Sequence, residues 1–158
     1  LSPAADAVGC FTTDGGGAEM IDTPTGPTGP TVEIRQRESV ILATDVRKLV
    51  AWYRDVLGMK LVRSFEEDYH YCNLETATGI CIGIADAAQM KVNPVDRSQN
   101  TVILQIEVDD VAAFFRQLEE KGGSITFGPA LDAKNGFYYG GFSDPEGNPW
   151  WVVDAKCP

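Results

Sequence analysis

The chain has 158 residues, of which 44% are hydrophobic, and 23 acidic against 13 basic residues give it a formal net charge of −10. This length and composition suffice for one globular unit, or for two small halves that share an interface. The negative charge argues against nucleic acids and anionic membranes as partners, because their phosphates would be repelled. Cationic or neutral small molecules remain compatible with the charge.

The sequence contains no segment that predicts a membrane anchor. No apolar run approaches the roughly 20 residues that a membrane-spanning helix needs. The N-terminus also lacks the basic region followed by an apolar stretch that is typical of a signal peptide. The expected location is therefore the cytoplasm, with an exported form as the alternative.

Residues 1–31 predict a flexible N-terminal arm. Residues 1–30 hold 6 of the 16 glycines and 4 of the 9 prolines, and they include the stretch TPTGPTGPT. Such a composition buries too little apolar surface to offset the entropy lost on ordering. From residue 32 the sequence changes to alternating strand and helix patterns.

An internal repeat organises the rest of the chain. ILATDVRKLVAWYRDVLG (41–58) aligns without gaps on IEVDDVAAFFRQLEEKGG (106–123). Each copy predicts a helix capped by an aspartate, Asp45 or Asp110, and ended by a left-handed glycine, Gly58 or Gly123. The apolar residues between them have the spacing of a helix that lies on a sheet. They are Val46, Leu49, Val50 and Tyr53 in the first copy and Val111, Phe114, Phe115 and Leu118 in the second.

Three strand-like segments follow each predicted helix, so each half reads βαβββ. A half with one helix covers one face of its sheet and leaves the other face to close against its twin. We therefore predict an α+β fold in which two βαβββ modules form a curved eight-stranded sheet, with a concave cup inside and the helices outside. The predicted modules span residues 32–92 and 102–158, and residues 93–101 form a linker.

The stretch FSDPEGNPWWVVD, residues 142–154, predicts a corner between two strands. Pro145 presets one turn torsion and Gly147 tolerates a positive one. Successive side chains of a strand point to opposite faces, so Trp150 and Trp151 must face different surroundings. One tryptophan is expected in the core and the other in a site.

The doubled βαβββ unit, with DVRKLVAWYRDVLG in its first half and FSDPEGN before its last strand, resembles the vicinal oxygen chelate superfamily. That superfamily includes glyoxalase I, bleomycin resistance proteins, fosfomycin resistance enzymes, extradiol dioxygenases and methylmalonyl-CoA epimerase. The resemblance covers roughly residues 33–155. It specifies the fold, whereas the superfamily spans several chemistries and some non-catalytic binders.

The resemblance also implies where a divalent metal would bind, because the superfamily's enzymes hold one at the centre of the cup. The four ligand positions fall on Glu38, Gly83, Ile103 and Trp151, of which only Glu38 carries a ligand atom. A metal that acts as a Lewis acid needs about three protein ligands. No metal or other cofactor is therefore expected, and a divalent metal is the alternative. The only histidine, His70, lies on a strand that the superfamily does not use for ligands.

The candidate ligand-binding residues are Glu38, Gln105, Glu107 and Trp151. Trp151 is expected to point into the cup, where its ring can stack on a ligand or attract a cation, and Trp150 to pack against a helix. Gln105 and Glu107 share one strand face and can lie in the cup with Glu38. The alternative is that Trp151 fills the cup, which then binds nothing.

Three functions compete. The first is a metal-free protein that binds a cationic or aromatic small molecule, in the manner of the bleomycin resistance proteins. The second is a lyase, isomerase or dioxygenase that uses a divalent metal, or Glu38 or Glu107 as a general base. The third is an interaction module with a filled cup. Catalytic residues cannot be assigned from the sequence, and the resemblance implies a homodimer.

The four cysteines do not form a metal-binding or disulfide-rich pattern. A hairpin that closes around Thr76 and Ala77 would place Cys72 opposite Cys81, either as a disulfide or as two packed thiols. Cys10 and Cys157 lie near the two ends of the chain, where an oxidising compartment would favour a bond between them.

Overall fold

The computed structural model describes residues 37–158, and the predicted arm of residues 1–31 lies outside the described residues. The first half contains β1 (Ser39–Ala43), α1 (Val46–Asp55), β2 (Lys60–Phe65), β3 (Tyr71–Glu75) and β4 (Cys81–Asp86). The second contains β5 (Leu104–Val108), α2 (Val111–Glu120), β6 (Ser124–Asp132), β7 (Phe137–Ser143) and β8 (Pro149–Asp154). A short 3₁₀ helix, Arg97–Gln99, lies between the halves. Within residues 37–158, no helix is long and apolar enough to cross a membrane.

The strand pairing confirms the predicted α+β fold of two βαβββ modules. The sheet orders are β1-β4-β3-β2 and β5-β8-β7-β6, and the first and last strands of each half pair in parallel. The remaining pairs are antiparallel. The eight strands form two four-stranded sheets rather than one continuous sheet, because no ladder joins β1 to β5 in the described part of the chain.

Both helices begin as the repeat predicts. The Asp45 carboxylate accepts a hydrogen bond of 3.0 Å from the Lys48 amide, and that of Asp110 accepts one of 2.8 Å from the Ala113 amide. These bonds satisfy amides of the first turn that have no partner inside the helix. The predicted apolar residues are buried, except that Phe114 is only partly buried.

The end of α2 differs from the prediction by one residue. Gly58 has a positive φ of 71°, as expected, but the left-handed residue after α2 is Gly122, with φ 78°, and not Gly123. The Gly122 amide donates to Glu119 and the Gly123 amide to Leu118, which is the hydrogen-bond pattern of a Schellman motif. A Cβ on Gly123 would lie 2.4 Å from Leu118 Cδ1, so packing rather than torsion requires this glycine.

One hydrophobic core contains residues of both halves. Tyr53 and Leu49 of α1 belong to the same buried cluster as Phe142 and Trp150 of the second sheet. A Cβ on Gly140 of β7 would lie 2.5 Å from the Phe115 ring, which places α2 against this face of the sheet. We call the opposite, helix-free faces of the two sheets the cup faces.

The turn before β8 joins the two halves. Asp144 is buried, and its carboxylate accepts hydrogen bonds from the Glu146 and Asn148 amides within the turn. The same carboxylate accepts a bond of 2.8 Å from the Tyr53 hydroxyl of α1. Gly147 has φ 86°, as the corner requires.

Glu146 and Arg97 form a second connection, which we call the seam clamp. The Glu146 carboxylate accepts hydrogen bonds from the Thr44 and Asp45 amides at the start of α1. Arg97, on the 3₁₀ helix between the halves, pairs with Glu146 at 2.6 Å and donates to the Leu42 carbonyl. The two side chains are only 9% and 14% exposed, so the clamp is largely shielded from water.

The two central cysteines do not face each other. The hairpin places Glu75 opposite Cys81 and Cys72 opposite Ile84, so the turn closes around Thr78, later than predicted. Cys72 and Cys81 therefore lie on opposite faces of the sheet. Both thiols are free, and so is Cys157; Cys10 lies outside the described residues.

Candidate functional site

A cavity of about 620 Å³ lies where the first strands of the two halves approach each other. Its walls come from residues 37–39 at the start of β1, residues 78–82 at the start of β4, and Leu104, Gln105 and Trp150 of the second half. The walls are more polar than apolar: side chains of Arg37, Ser39, Thr78 and Gln105 accompany the Glu38 carboxylate, and apolar contact comes from side chains such as that of Leu104. Small-molecule sites are usually lined mostly by apolar side chains, so this cavity is suited to a ligand with a polar or charged group.

Glu38 is held in place by two side chains of β3. The Tyr71 hydroxyl donates a hydrogen bond of 2.8 Å to Glu38 Oε1, and Asn73 Nδ2 donates one of 3.0 Å to the same oxygen. Tyr71 and Asn73 are two residues apart on one strand, so both side chains point to the same face. Arg37 Nε lies 3.4 Å from the other oxygen, Glu38 Oε2.

These donors keep Glu38 ionised. A backbone hydrogen bond and the Tyr71 and Asn73 donors lower the pKa of the Glu38 carboxyl from 4.5 to about 2. Burial and the Glu38 charge raise the pKa of the Tyr71 hydroxyl to about 12. A carboxylate of such low basicity is a weak general base near neutral pH, but it is a permanent negative charge for a cation.

Gly83 makes room for Tyr71. A Cβ on Gly83 would lie 2.1 Å from Tyr71 Oη, far closer than two unbonded atoms approach. Gly83 is also one of the positions at which the resemblance implies a metal ligand. The Tyr71 hydroxyl thus takes the space in which a ligand side chain at position 83 would begin.

The residues at the four implied ligand positions do not fit a divalent metal. Gly83, Ile103 and Trp151 offer no side-chain ligand atom, and Glu38 Oε1 already accepts two hydrogen bonds. Across residues 37–158, no group of three histidine, cysteine, aspartate or glutamate side chains is placed to hold an ion. A stable site needs at least three converging ligands, so we derive no reaction step through a metal.

The second half supplies two tryptophans with opposite environments. Trp150 is buried, stacks on Phe142, and donates a hydrogen bond of 2.9 Å from Nε1 to the Tyr53 hydroxyl of α1. Trp151 lies on the cup face with 46% of its surface exposed, directly opposite Gln105 on the neighbouring strand. The two adjacent tryptophans therefore point to opposite faces of the sheet, as expected from strand alternation.

The structure brings together only part of the predicted set of ligand-binding residues. Glu38 and Gln105 line the cavity, whereas Trp151 does not, and the tryptophan in the cavity wall is Trp150. Glu107 lines a separate cavity of about 250 Å³, which also reaches Trp150.

Sequence reasoning missed Tyr71 and Asn73, which hold Glu38. Strand alternation places both side chains on one face, but only the pairing of β3 with β4 shows that this face contacts Glu38. His70, immediately before them, lies with Nε2 3.7 Å from Glu66 and does not line the cavity.

Comparison with solved structures identifies proteins of the same fold. A glyoxalase/bleomycin resistance protein/dioxygenase superfamily member from Sphaerobacter thermophilus matches with a TM-score of 0.64 and 19% identity, over 77% of this chain and 98% of that chain. A family enzyme from Burkholderia phytofirmans matches with a TM-score of 0.58 and 20% identity, over 74% and 95% of the two chains. A glyoxalase I mutant from Zea mays matches with a TM-score of 0.63 and 21% identity, over 73% of this chain and 43% of that chain.

The sequence itself carries the family relationship. No curated protein sequence matches the chain. The sequence model of one protein family matches this chain over residues 35–152. This span contains both α-helices and the first seven strands, and all but the last two residues of β8. The chain therefore belongs to the glyoxalase/bleomycin resistance protein/dioxygenase superfamily.

Proposed function

We propose that this protein binds a cationic or aromatic small molecule without a metal, through Glu38, Gln105, Glu107 and Trp151. The observation that carries the proposal is the state of Glu38. It is the only oxygen ligand among the four implied metal positions, and Tyr71 and Asn73 hold it as a hydrogen-bonded anion. An anion of this kind suits recognition of a cation better than proton transfer.

Trp151 supports the aromatic part of the proposal. Its indole is half exposed on the cup face, next to the side chain of Gln105. An exposed indole offers a large stacking surface and attracts cations through the face of its ring. The net charge of −10 also favours cationic over anionic ligands, as the exposed indole does.

Fluorescence titration tests this proposal directly. We expect a panel of aromatic cations to change the tryptophan emission of the wild-type protein in a saturable way. Trp151→Phe should remove most of the change, whereas Trp52→Phe, on α1, should leave it largely intact. A flat response of the wild-type protein across the panel would contradict the proposal.

Metal analysis separates the proposed binder from the enzyme alternative. We expect protein purified without chelators to contain far less than one equivalent of zinc, nickel, manganese or iron. One bound equivalent that the Glu38→Gln variant loses would instead favour a metal-dependent lyase, isomerase or dioxygenase.

We also propose that two copies associate through their cup faces. Exposed aromatic residues on these faces support this: Phe65, Phe127, Tyr139 and Trp151 are each 37–46% exposed. Apolar surface of this kind is stabilised when a second molecule covers it. Light scattering after size exclusion should give twice the mass of one chain, and a monomer at micromolar concentration would contradict the proposed dimer.

A further inference from the structure

We propose that the cavity between the two halves is a site for a primary or secondary ammonium group, which Glu38 binds through its Oε2 atom. This inference rests on the proposed function and makes it specific, because it names one atom, one cavity and one class of cation. The protein's contribution is a fixed anion beside apolar wall residues. Tyr71 and Asn73 act as positioning residues for that anion.

The two oxygens of Glu38 differ in what remains available to a ligand. A carboxylate oxygen accepts about two hydrogen bonds, and Oε1 already accepts those of Tyr71 and Asn73. Among the described residues, the Arg37 guanidinium is the only side-chain partner recorded for Oε2, at 3.4 Å. A ligand that donates a hydrogen bond to Glu38 is therefore expected to donate it to Oε2.

This asymmetry selects among cations. A guanidinium binds a carboxylate best as a fork, with one N–H directed at each oxygen, but Oε1 is already occupied. A quaternary ammonium has no N–H to donate. A primary or secondary ammonium needs only one free oxygen and donates a short, charge-assisted hydrogen bond to it.

Arg37 does not prevent binding, although it competes for Oε2. Its side chain is 79% exposed, whereas that of Glu38 is 15% exposed, and their contact of 3.4 Å is longer than a strong charge-assisted hydrogen bond. The guanidinium can move into solvent when an ammonium enters. Removal of the Arg37 charge should consequently strengthen binding, which a purely structural role of Glu38 would not predict.

The rest of the ligand has apolar surface to contact. Ile80 and Leu104 line the cavity from the first and second halves, and both side chains are only partly buried. Covering such surface contributes roughly 25 cal/mol per Å² removed from water. The expected ligand therefore joins an ammonium group to an apolar or aromatic body.

Calorimetry on the full chain with phenethylamine as the probe tests the site. We expect 2-phenylethanol, its neutral analogue, to bind at least tenfold more weakly.

Glu38→Gln keeps an oxygen for Tyr71 and Asn73 but removes the charge, and should weaken phenethylamine binding about 10- to 100-fold. Arg37→Gln should tighten it severalfold. Glu119→Gln, at an exposed site on α2, is the matched control and should change neither affinity.

Each outcome has one meaning. No phenethylamine binding, equal binding of the alcohol, or equal affinity of wild type and Glu38→Gln overturns this inference. The proposed function nevertheless survives those results if the aromatic cation panel still quenches Trp151. A panel without any response overturns both. Circular dichroism shows whether Glu38→Gln folds. If it does not, two other measurements test the inference: the ratio of the affinities for phenethylamine and 2-phenylethanol, and the effect of Arg37→Gln. If the wild-type protein does not prefer the amine and Arg37→Gln does not tighten binding, the inference is overturned.

Discussion

The Tyr53 hydroxyl of α1 donates a hydrogen bond of 2.8 Å to Asp144 Oδ2 in the turn before β8, so one buried bond joins the two halves. The same hydroxyl accepts a bond from Trp150 Nε1. Burial and the Asp144 charge raise the pKa of Tyr53, which keeps the hydroxyl protonated and able to donate. The bond therefore persists throughout the neutral pH range.

Replacement of Tyr53 by phenylalanine should destabilise the fold. Tyr53→Phe leaves a buried carboxylate and a buried indole N–H each short of one partner, which costs about 1–3 kcal/mol. Urea denaturation measures the loss. Tyr69→Phe, which removes a hydroxyl from a 44% exposed side chain, is the control and should have almost no effect. Equal denaturation midpoints for the two variants would contradict this role of Tyr53.

Glu146→Ala should break the seam clamp. The substitution leaves the Thr44 and Asp45 amides without their acceptor and the shielded Arg97 guanidinium without its carboxylate partner. Hydrogen bonds to charged groups contribute about 1.5–3 kcal/mol, so we expect a loss on the order of 3 kcal/mol. Glu120→Ala, at an exposed position on α2, should shift stability by less than about 0.5 kcal/mol. Comparable melting temperatures for both variants would argue against the clamp.

Gly83→Ala should disturb Glu38 through Tyr71. The new methyl would meet Tyr71 Oη at 2.1 Å, so Tyr71 must move or the strands must separate. Overpacking of this kind costs about 1–3 kcal/mol. In a double-mutant cycle, Tyr71→Ala should reduce the cost of Gly83→Ala, because the clashing ring is gone. Strictly additive effects on the free energy of unfolding would contradict the predicted contact.

Because Glu38 is ionised in the folded state, the free energy of unfolding should decrease in acid. Its folded pKa of about 2 lies below the ordinary value of 4.5, so the folded state binds the proton less readily than the unfolded one. The Glu38 contribution is therefore complete above about pH 4.5 and is lost as the pH falls towards 2. Urea midpoints of the wild-type protein should approach those of Glu38→Gln over this range. Parallel pH curves would contradict the prediction.

The cysteine arrangement predicts the reactivity of the three described thiols. Cys81 and Cys157 are partly exposed and should react with a thiol reagent in the folded protein, Cys81 slowly because burial raises its pKa. Cys72 is 3% exposed and should react only after unfolding. Mass spectrometry of labelled peptides measures the order. A peptide linked through Cys72 and Cys81 after mild oxidation would contradict the strand register.

Local signals were sufficient to predict most of the fold. The aspartate N-caps, the apolar stripes and the turn at Gly147 depend on neighbours within a few residues, and these are present, with Phe114 only partly buried. Two of the errors arose where one residue of register matters, whereas the predicted single eight-stranded sheet failed because it depends on how the halves meet. The sequence could not distinguish Gly122 from Gly123 as the left-handed residue, nor place the centre of the hairpin that fixes the partner of Cys72.

The site was less predictable because its contacts are long-range. The hydrogen bonds of Tyr71 and Asn73 to Glu38 join residues more than 30 positions apart, and the Glu146 bonds to the start of α1 span about 100. No local pattern encodes such partners. The family resemblance placed Glu38 in the site and strand alternation placed Gln105 there, whereas the role of Trp150 in the cavity wall depends on how the halves meet.

The separate pairing of the two sheets affects which substitutions can reshape the cavity between them. In residues 37–158, no ladder pairs β1 with β5, and side-chain contacts such as Tyr53–Asp144 and Arg97–Glu146 join the halves. A substitution at this boundary therefore breaks no main-chain ladder bond between the two sheets. Volume and selectivity of the chamber between them can therefore change through single substitutions, while the internal architecture of each half stays as it is.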